Sequence, residues 1–260
     1  MDRKAIYEKT AEFLKGRWLS ITLISLGIGV IVYAINVIVG FVLGGSGANQ
    51  LSYEISNGNI SAALNIASKI SSGNIFTSFF ISLLDAVLST GLSIAVLNAY
   101  RNQGNVVFND VVVIIKEHFE KIIIAILAIT AITTLIGLIP FVGTILASIL
   151  NYCFAFAYFL INDKKSSDAI SAIKDSYEST TGHKLNMFMI DWYYILRILI
   201  GFGIIIIAVF FANASPALAI LLMFVGAIVS LVLLFKYLPY LVVARVIYYE
   251  TVQESEIVDI

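Results

Sequence analysis

Residues 217–238 read ALAILLMFVGAIVSLVLLFKYL and contain one charged side chain, Lys236. A hydrocarbon core about 30 Å thick is crossed by about 20 helical residues. Inside that core only a helix satisfies its backbone hydrogen bonds within a single segment. This stretch therefore predicts a transmembrane helix, and not a helix from the interior of a soluble protein.

Five further stretches share this length and composition, at residues 18–43, 75–99, 122–139, 142–161 and 185–212. The first is too long for the apolar region of a signal peptide, about 7–15 residues, so we expect it to be retained. Charged residues make up 13% of the chain, against about 25% in soluble domains. The sequence predicts an all-α fold with one membrane domain over residues 1–260, a polytopic bundle of six spans.

Lysine and arginine are concentrated on one side of the predicted bundle. Of the 16 basic residues, 12 precede the first span or lie in the second-to-third and fourth-to-fifth connections. The long connection between the first two spans, residues 44–74, contains only Lys69. Short cytoplasmic connections carry the excess of Lys and Arg. Both termini are therefore predicted to be cytoplasmic, with an external loop at 44–74.

Three polar segments on the cytoplasmic side are predicted to form amphipathic interfacial helices, each followed by a two-span hairpin. Apolar residues spaced by three and four lie on one helical face, which we expect in the acyl boundary of the membrane. The alternative is that any helix beside a membrane becomes amphipathic, without a repeat. The predicted stripes are Ile6, Thr10, Phe13 and Leu14; Val112, Ile115, Phe119 and Ile122; and Ala169, Ile170, Ile173 and Tyr177.

Four ionisable residues fall inside predicted spans, where each costs roughly 2.5–3.5 kcal/mol at the membrane centre. Asp85 and Arg197 are predicted at similar depth near the middle of the second and fifth spans, and to pair. Asp191 and Lys236 form a second predicted pair near the cytoplasmic ends, unless Lys236 extends to the interface. The pairs have two interpretations, helix–helix cohesion or a pathway for a substrate or proton.

Pro239 is predicted to end or bend the sixth span. Proline removes one intrahelical hydrogen bond and presses against the preceding turn. Residues 240–250 are then expected to follow the cytoplasmic interface, with Arg245 among the headgroups.

No motif for catalysis or for a bound cofactor occurs in the chain. His118 and His183 have no Cys, Glu or His at metal-ligand spacing. A glycine-rich phosphate loop, a nucleophile elbow and a basic stripe for nucleic acid are also absent. We therefore expect no enzymatic activity, no cofactor, no metal site and no nucleic-acid partner.

The segment from Tyr158 to Tyr193 joins an aromatic span end, a polar helix and a span that opens with Phe and Trp. It resembles the DUF975-like family, Gram-positive integral membrane proteins that share a domain of unknown function. The resemblance is clearest over residues 158–250 and implies a bacterial plasma-membrane protein of about six spans, with no reaction attached. The matching residues are Asp163, Ala169, Ile170, Ser176, Gly182, Lys184, Phe188, Trp192, Pro239 and Tyr240.

Two functions are compatible with these observations. The first is a non-enzymatic accessory, scaffold or bacteriocin-immunity protein whose partners are the lipid bilayer and another membrane protein or a peptide. The alternative is a small transporter or channel with a polar site at Asp85 and Arg197. Against the alternative, Gly or Pro is not predicted to break any span in mid-membrane, as often happens at transporter sites. The sequence does not determine an oligomeric state.

Overall fold

The computed structural model describes residues 3–57, 59–140, 142–211 and 215–258. Within these ranges every regular element is an α-helix. In chain order the nine helices found there are α1 (Arg3–Leu14), α2 (Trp18–Ser56), α3 (Ile60–Arg101), α4 (Phe108–Gly137), α5 (Gly143–Cys153), α6 (Ala157–Asn162), α7 (Ala169–Ser179), α8 (Lys184–Phe211) and α9 (Pro216–Val258).

Six helical segments are long and apolar enough to cross a membrane, which confirms the prediction of an all-α, six-span, multi-pass membrane protein. The fourth combines α5 and α6, and the sixth covers most of α9. The segments are Trp18–Val39, Thr77–Arg101, Phe108–Gly137, Gly143–Asn162, Lys184–Phe211 and Pro216–Glu254.

The chain divides into two compact units. The hairpin unit is Leu26–Ser89, and the main unit is Met1–Ser25 together with Thr90–Ile260. The connection predicted over 44–74 lies between the first two span segments, but it is helical over most of its length and not a loop, because α2 continues to Ser56 and α3 begins at Ile60. A helix that continues through this region keeps its backbone hydrogen bonds satisfied. Each glycine lowers the stability of the helix by only about 1 kcal/mol relative to alanine. The Asn59 side chain accepts a hydrogen bond from the Ala62 amide and so caps α3.

Burial in the main unit is concentrated at one end of the helices. In α9 the apolar side chains from Val243 to Val252 are at most 1% exposed, whereas ten large apolar side chains between Leu218 and Leu234 are 39–68% exposed. The 43 residues of α9 extend for about 64 Å, twice the hydrocarbon thickness of about 30 Å. The exposed half of α9 therefore matches the length of a span, and the buried half extends beyond it.

We call the protein-covered part of the main unit the base. It comprises α1, α6, α7 and residues 90–101, 108–126, 184–194 and 239–254. Its helices cover one another: α1 packs on α9, and α7 packs on α4 and α6. The sequence prediction placed these apolar faces in lipid, and the structure places them against protein.

The three predicted stripes have different outcomes. Ile6, Thr10, Phe13 and Leu14 are all buried, as one face of α1, but against protein. In α7 the buried face is Ala169, Ala172, Ile173 and Ser176, so the predicted members Ile170 and Tyr177 are exposed. In α4 the predicted member Ile122 is buried together with Val111 and Ile114, whereas the predicted Phe119 is exposed. Non-helical backbone at His118 (φ −114°, ψ 15°) changes the rotation between the two halves of α4, which a regular periodicity does not anticipate.

The fourth span is interrupted between α5 and α6, although it has neither Gly nor Pro at that point. Ser176 of α7 donates a hydrogen bond to the Cys153 carbonyl at 2.9 Å and accepts one from the Phe156 amide at 3.1 Å. The Thr180 hydroxyl also lies 3.1 Å from the Cys153 carbonyl. Both hydroxyls are buried, and they replace the helical partners that the interruption removes.

Pro239 does not end the sixth span, because α9 is continuous through it. The indole N–H of Trp18 donates to the Lys236 carbonyl at 3.1 Å. The carbonyl one residue before it has no helical hydrogen-bond donor, because Pro239 lacks an N–H group. Dense packing of Val243 to Val252 in the base also favours an uninterrupted helix, so residues 240–250 belong to the base and do not follow the membrane interface.

Helices α8 and α9 approach most closely at Gly201. A Cβ atom at this position would lie 2.4 Å from the backbone nitrogen of Ser230, whereas a Cβ at Gly203 would meet no atom within 4 Å. Small residues allow such backbone contact between spans.

We expect Gly201→Ala to lower the free energy of unfolding by about 1–3 kcal/mol, because the added methyl group must separate the two backbones. Gly203→Ala is the matched control and should be neutral or stabilising, since alanine favours a helix by about 1 kcal/mol over glycine. Thermal unfolding in detergent measures both, with a thiol-reactive dye reporting exposure of the buried Cys153. Equal melting temperatures for the two variants would contradict the close contact.

Candidate functional site

Arg101, at the end of α3, joins three segments of the base. Its guanidinium contacts both oxygens of Asp163, at 2.5 and 2.9 Å. The same group donates to Glu250 of α9, with Nε 2.9 Å and Nη2 2.5 Å from Oε1. Bidentate contacts of this kind are stronger and more directional than a single hydrogen bond. Arg101 therefore fixes the end of α3 against α9 and against the turn that follows α6.

Asp163 is the buried member of this network, with its side chain 6% exposed. Burial alone would raise the pKa of Asp163, but hydrogen bonds from Arg101 and from the Tyr249 hydroxyl, at 2.7 Å, lower the pKa below its ordinary value. Asp163 is therefore ionised at neutral pH. Its contribution to stability is present above the unfolded-state pKa and is lost as the pH falls through the lowered folded-state pKa.

A second ion pair connects α8 with α9, and it involves Arg245 in place of the predicted Lys236. The Arg245 Nη2 atom lies 2.7 Å from Asp191 Oδ2, and its Nε lies 3.1 Å from Oδ1. The Asp191 side chain is 2% exposed and that of Arg245 is 54% exposed. The predicted Asp191–Lys236 pair is therefore wrong.

The packing register of the two antiparallel helices explains the correction. Gly201 lies against Ser230. Asp191 precedes Gly201 by about three helical turns, so its counterpart follows Ser230 by a similar distance. That level is near residue 240, so Lys236 precedes it by four residues and Arg245 follows it by five. Long side chains extend toward the N-terminus of their helix, so Arg245 extends toward Asp191 and Lys236 extends away from it.

Arg197 lies in a cluster of tyrosines contributed by α1, α8 and α9. Its guanidinium carbon is 3.5 Å from the centroid of the Tyr193 ring and 5.8 Å from that of Tyr237. Tyr7 of α1 stacks on Tyr193 with 4.1 Å between ring centroids. Asp85 is an exposed residue of the hairpin unit, and its pairing with Arg197 stays a prediction.

The remaining residues of the family-like motif form a turn and packing contacts between helices. Gly182 adopts a φ of +83° in the turn before α8, a conformation that favours glycine. The Lys184 ammonium lies 4.3 Å from the Tyr177 ring centroid, and Trp192 stacks on Phe188 at 5.7 Å. Tyr240 packs against Tyr194 with 5.5 Å between centroids. These contacts connect α7, α8 and α9, and they provide no reactive group.

His183 and a polar cleft lie elsewhere in the main unit. His183 Nδ1 is 3.2 Å from the Tyr248 hydroxyl, and the described residues contain no group of three potential metal ligands. A cleft of about 370 Å³ contains amide and carboxylate groups but neither a nucleophile nor a basic side chain. Its polar lining is Asn98, Asn102, Asn105, Asp110 and Glu117.

Sequence reasoning identified Asp163 and Asp191 but neither of their arginine partners. Arg101 was counted only as a charge that indicates orientation, and Arg245 was assigned to the headgroups. A signal is present for Arg245 alone, which lies in an apolar stretch just before Tyr248 and Tyr249, where an unpaired charge is costly. The identity of each partner required the three-dimensional arrangement.

Removing Arg245 should destabilise the protein more than removing the whole pair. Arg245→Met leaves a buried carboxylate without its cation and should cost about 2–3 kcal/mol, less than the 3–5 of a fully buried pair because Arg245 is half exposed. The double variant Asp191→Asn with Arg245→Met should recover most of that loss. Lys236→Met, the control for the predicted partner, should have little effect. Unfolding curves in detergent that rank Lys236→Met as the most harmful change would refute the pair.

No family model, no curated protein and no solved structure matches this chain. The resemblance to the DUF975-like family therefore stays a prediction, and the geometry of the base is what assigns the candidate site.

Proposed function

We propose that this chain is a non-enzymatic protein of the bacterial plasma membrane, of accessory, scaffold or bacteriocin-immunity type. The observation that supports this most directly is that two buried carboxylates are already paired with arginines. Asp163 and Asp191 each accept two contacts from an arginine of another helix. Groups that are occupied in this way hold helices together, and they are poorly suited to bind and release a transported ion.

The apolar surface of the main unit offers a place for a partner within the membrane. Phe210, Ile206 and Val209 of α8 are among its most exposed side chains. Lipid covers such residues in a membrane, and another membrane helix or an inserted peptide can replace that lipid by close packing. A rigid base with lipid-facing helices is the architecture that a scaffold requires.

One observation favours the alternative of a small transporter or channel. The fourth span is interrupted at residues 154–156, and interrupted helices are common at transport sites. However, the backbone groups at this interruption bind the hydroxyls of Ser176 and Thr180. They are therefore less available to a substrate than the free backbone groups of a transport site.

Flux through reconstituted vesicles distinguishes the two functions. We expect purified protein in proteoliposomes to give no proton, potassium or chloride movement above that of empty vesicles. A flux that Asp85→Asn or Arg197→Gln abolishes would establish the alternative. In the native membrane, a photo-crosslinking residue at Phe210 should give a discrete protein adduct, whereas Ile220, exposed on α9, is the comparison position. Identical adducts at both positions would indicate random contact and would count against the scaffold.

Both termini are proposed to be cytoplasmic, on the strength of the basic residues concentrated on their side of the chain. Ser56→Cys and Ser171→Cys, each introduced into a Cys153→Ala background, test this arrangement because position 56 is exposed and position 171 is partly exposed. An impermeant thiol reagent applied to intact cells should label position 56, and position 171 should react only after permeabilisation. Labelling of position 171 from outside would reverse the orientation.

A further inference from the structure

Among the described residues of the main unit, Arg197 and Lys236 have no acidic partner, unlike Arg101 and Arg245. Both lie near one aromatic ring, with the Arg197 guanidinium 5.8 Å and the Lys236 ammonium 5.3 Å from the Tyr237 centroid. The described carboxylates of the main unit thus leave these two positive charges without a counter-charge.

A third cation adds to this positive surface. Burial raises the pKa of the Tyr7 hydroxyl, while the charges of Arg3 and Arg197 act on it in the opposite direction. Arg3 precedes Tyr7 by one turn of α1, so the two side chains are neighbours on the helix surface. Tyr7 stacks on Tyr193, and the Arg197 guanidinium lies over the same Tyr193 ring. We call this group of three cations and the tyrosines between them the cationic tyrosine patch: Arg3, Arg197, Lys236, Tyr7, Tyr193 and Tyr237.

The patch lies where the helices pass from protein-covered to lipid-exposed surface. Tyr194 belongs to the buried base, and Ile200, less than two turns further along α8, is exposed. On α9, Val232 is exposed and Pro239 is buried. Lys236 follows Pro216 by 20 residues, about 30 Å of helix, which equals the thickness of the hydrocarbon core. A span that begins at Pro216 therefore places Lys236 in the phosphate region of the bilayer, and we assign Arg197 to the same level in place of the mid-membrane depth predicted from the sequence.

We propose that the cationic tyrosine patch binds the headgroup phosphate of an anionic phospholipid. An arginine fork and a lysine point charge are the usual protein ligands of phosphate, and tyrosine hydroxyls add donors at the membrane interface. Arg197 uses Nη1 for the Tyr193 carbonyl at 2.7 Å, which orients the guanidinium and leaves Nε and Nη2 for a ligand. The exposed side chains of Leu196, Ile200 and Val232 are next to the patch and provide a surface for the acyl chains.

The excess of cations selects the class of lipid. A zwitterionic headgroup brings its own positive charge, which three cations without a carboxylate would repel. A lipid with net negative charge removes that repulsion, and each cation near the surface strengthens its binding about fivefold. Phosphatidylglycerol is therefore the appropriate probe, with phosphatidylcholine as its zwitterionic counterpart.

The test compares lipid binding by charge-matched variants. The double variant Arg197→Gln with Lys236→Gln removes two charges from the patch, and Lys164→Gln with Lys174→Gln removes two exposed charges elsewhere. We expect native mass spectrometry from mixed micelles to show retained phosphatidylglycerol, preferred at least about tenfold over phosphatidylcholine, for the wild type and the control. The patch variant should lose that preference. Equal retention by the two double variants would overturn the proposal.

Two further measurements separate the remaining explanations. Phosphatidylglycerol should raise the melting temperature of the wild type in detergent, reported by Cys153 labelling, and inorganic phosphate should not. An equal rise with inorganic phosphate would replace the lipid with a free anion and so contradict the proposal. If Arg197→Gln does not fold, Lys236→Gln alone serves as the test, because Lys236 is exposed and its loss should reduce the lipid preference about fivefold.

Discussion

The Arg101 guanidinium is the interaction on which the base depends. Without it, the buried carboxylate of Asp163 and that of Glu250 would approach each other with no cation between them, in surroundings that penalise an unpaired charge. This one group satisfies both acids at once where the ends of α3 and α9 meet the turn after α6. Tyr249 completes the arrangement by donating to Asp163 from within the apolar core of α9.

The interactions that stabilise a membrane protein differ between its lipid-facing and its protein-covered parts. Between spans the hydrophobic effect contributes little, because lipid tails are as apolar as leucine. Association there depends on close backbone contact, as at Gly201 and Ser230. In the base, protein covers the apolar side chains of α1, α7 and α9, so burial contributes in the same way as in a soluble domain. The main unit thus combines a packed base with helices whose outer surfaces are left to lipid.

This division also bears on function. Arginines pair with the buried acids, and hydroxyls of α7 hydrogen-bond to the backbone at the interruption of the fourth span. These polar groups therefore stabilise the base itself. Among the described surfaces of the main unit, the apolar faces of α8 and α9 and the cationic tyrosine patch at their boundary with the base suit other molecules. These surfaces suit a protein that contacts lipid and a membrane partner, which is the basis of the proposed accessory role.

The sequence by itself determined the helices, the six spans and the buried stripe of α1, because hydropathy, helix length and periodicity are properties of neighbouring residues. It also identified Asp163 and Asp191 as residues of interest. Only the tertiary structure decided that Asp191 binds Arg245 instead of Lys236, that Arg101 joins Asp163 to Glu250, and that α9 continues through Pro239. Each of these depends on the register between helices distant in sequence, which is set by close packing at positions such as Gly201 and by the hydrogen bond from Trp18 to Lys236. No local pattern along the chain encodes that register.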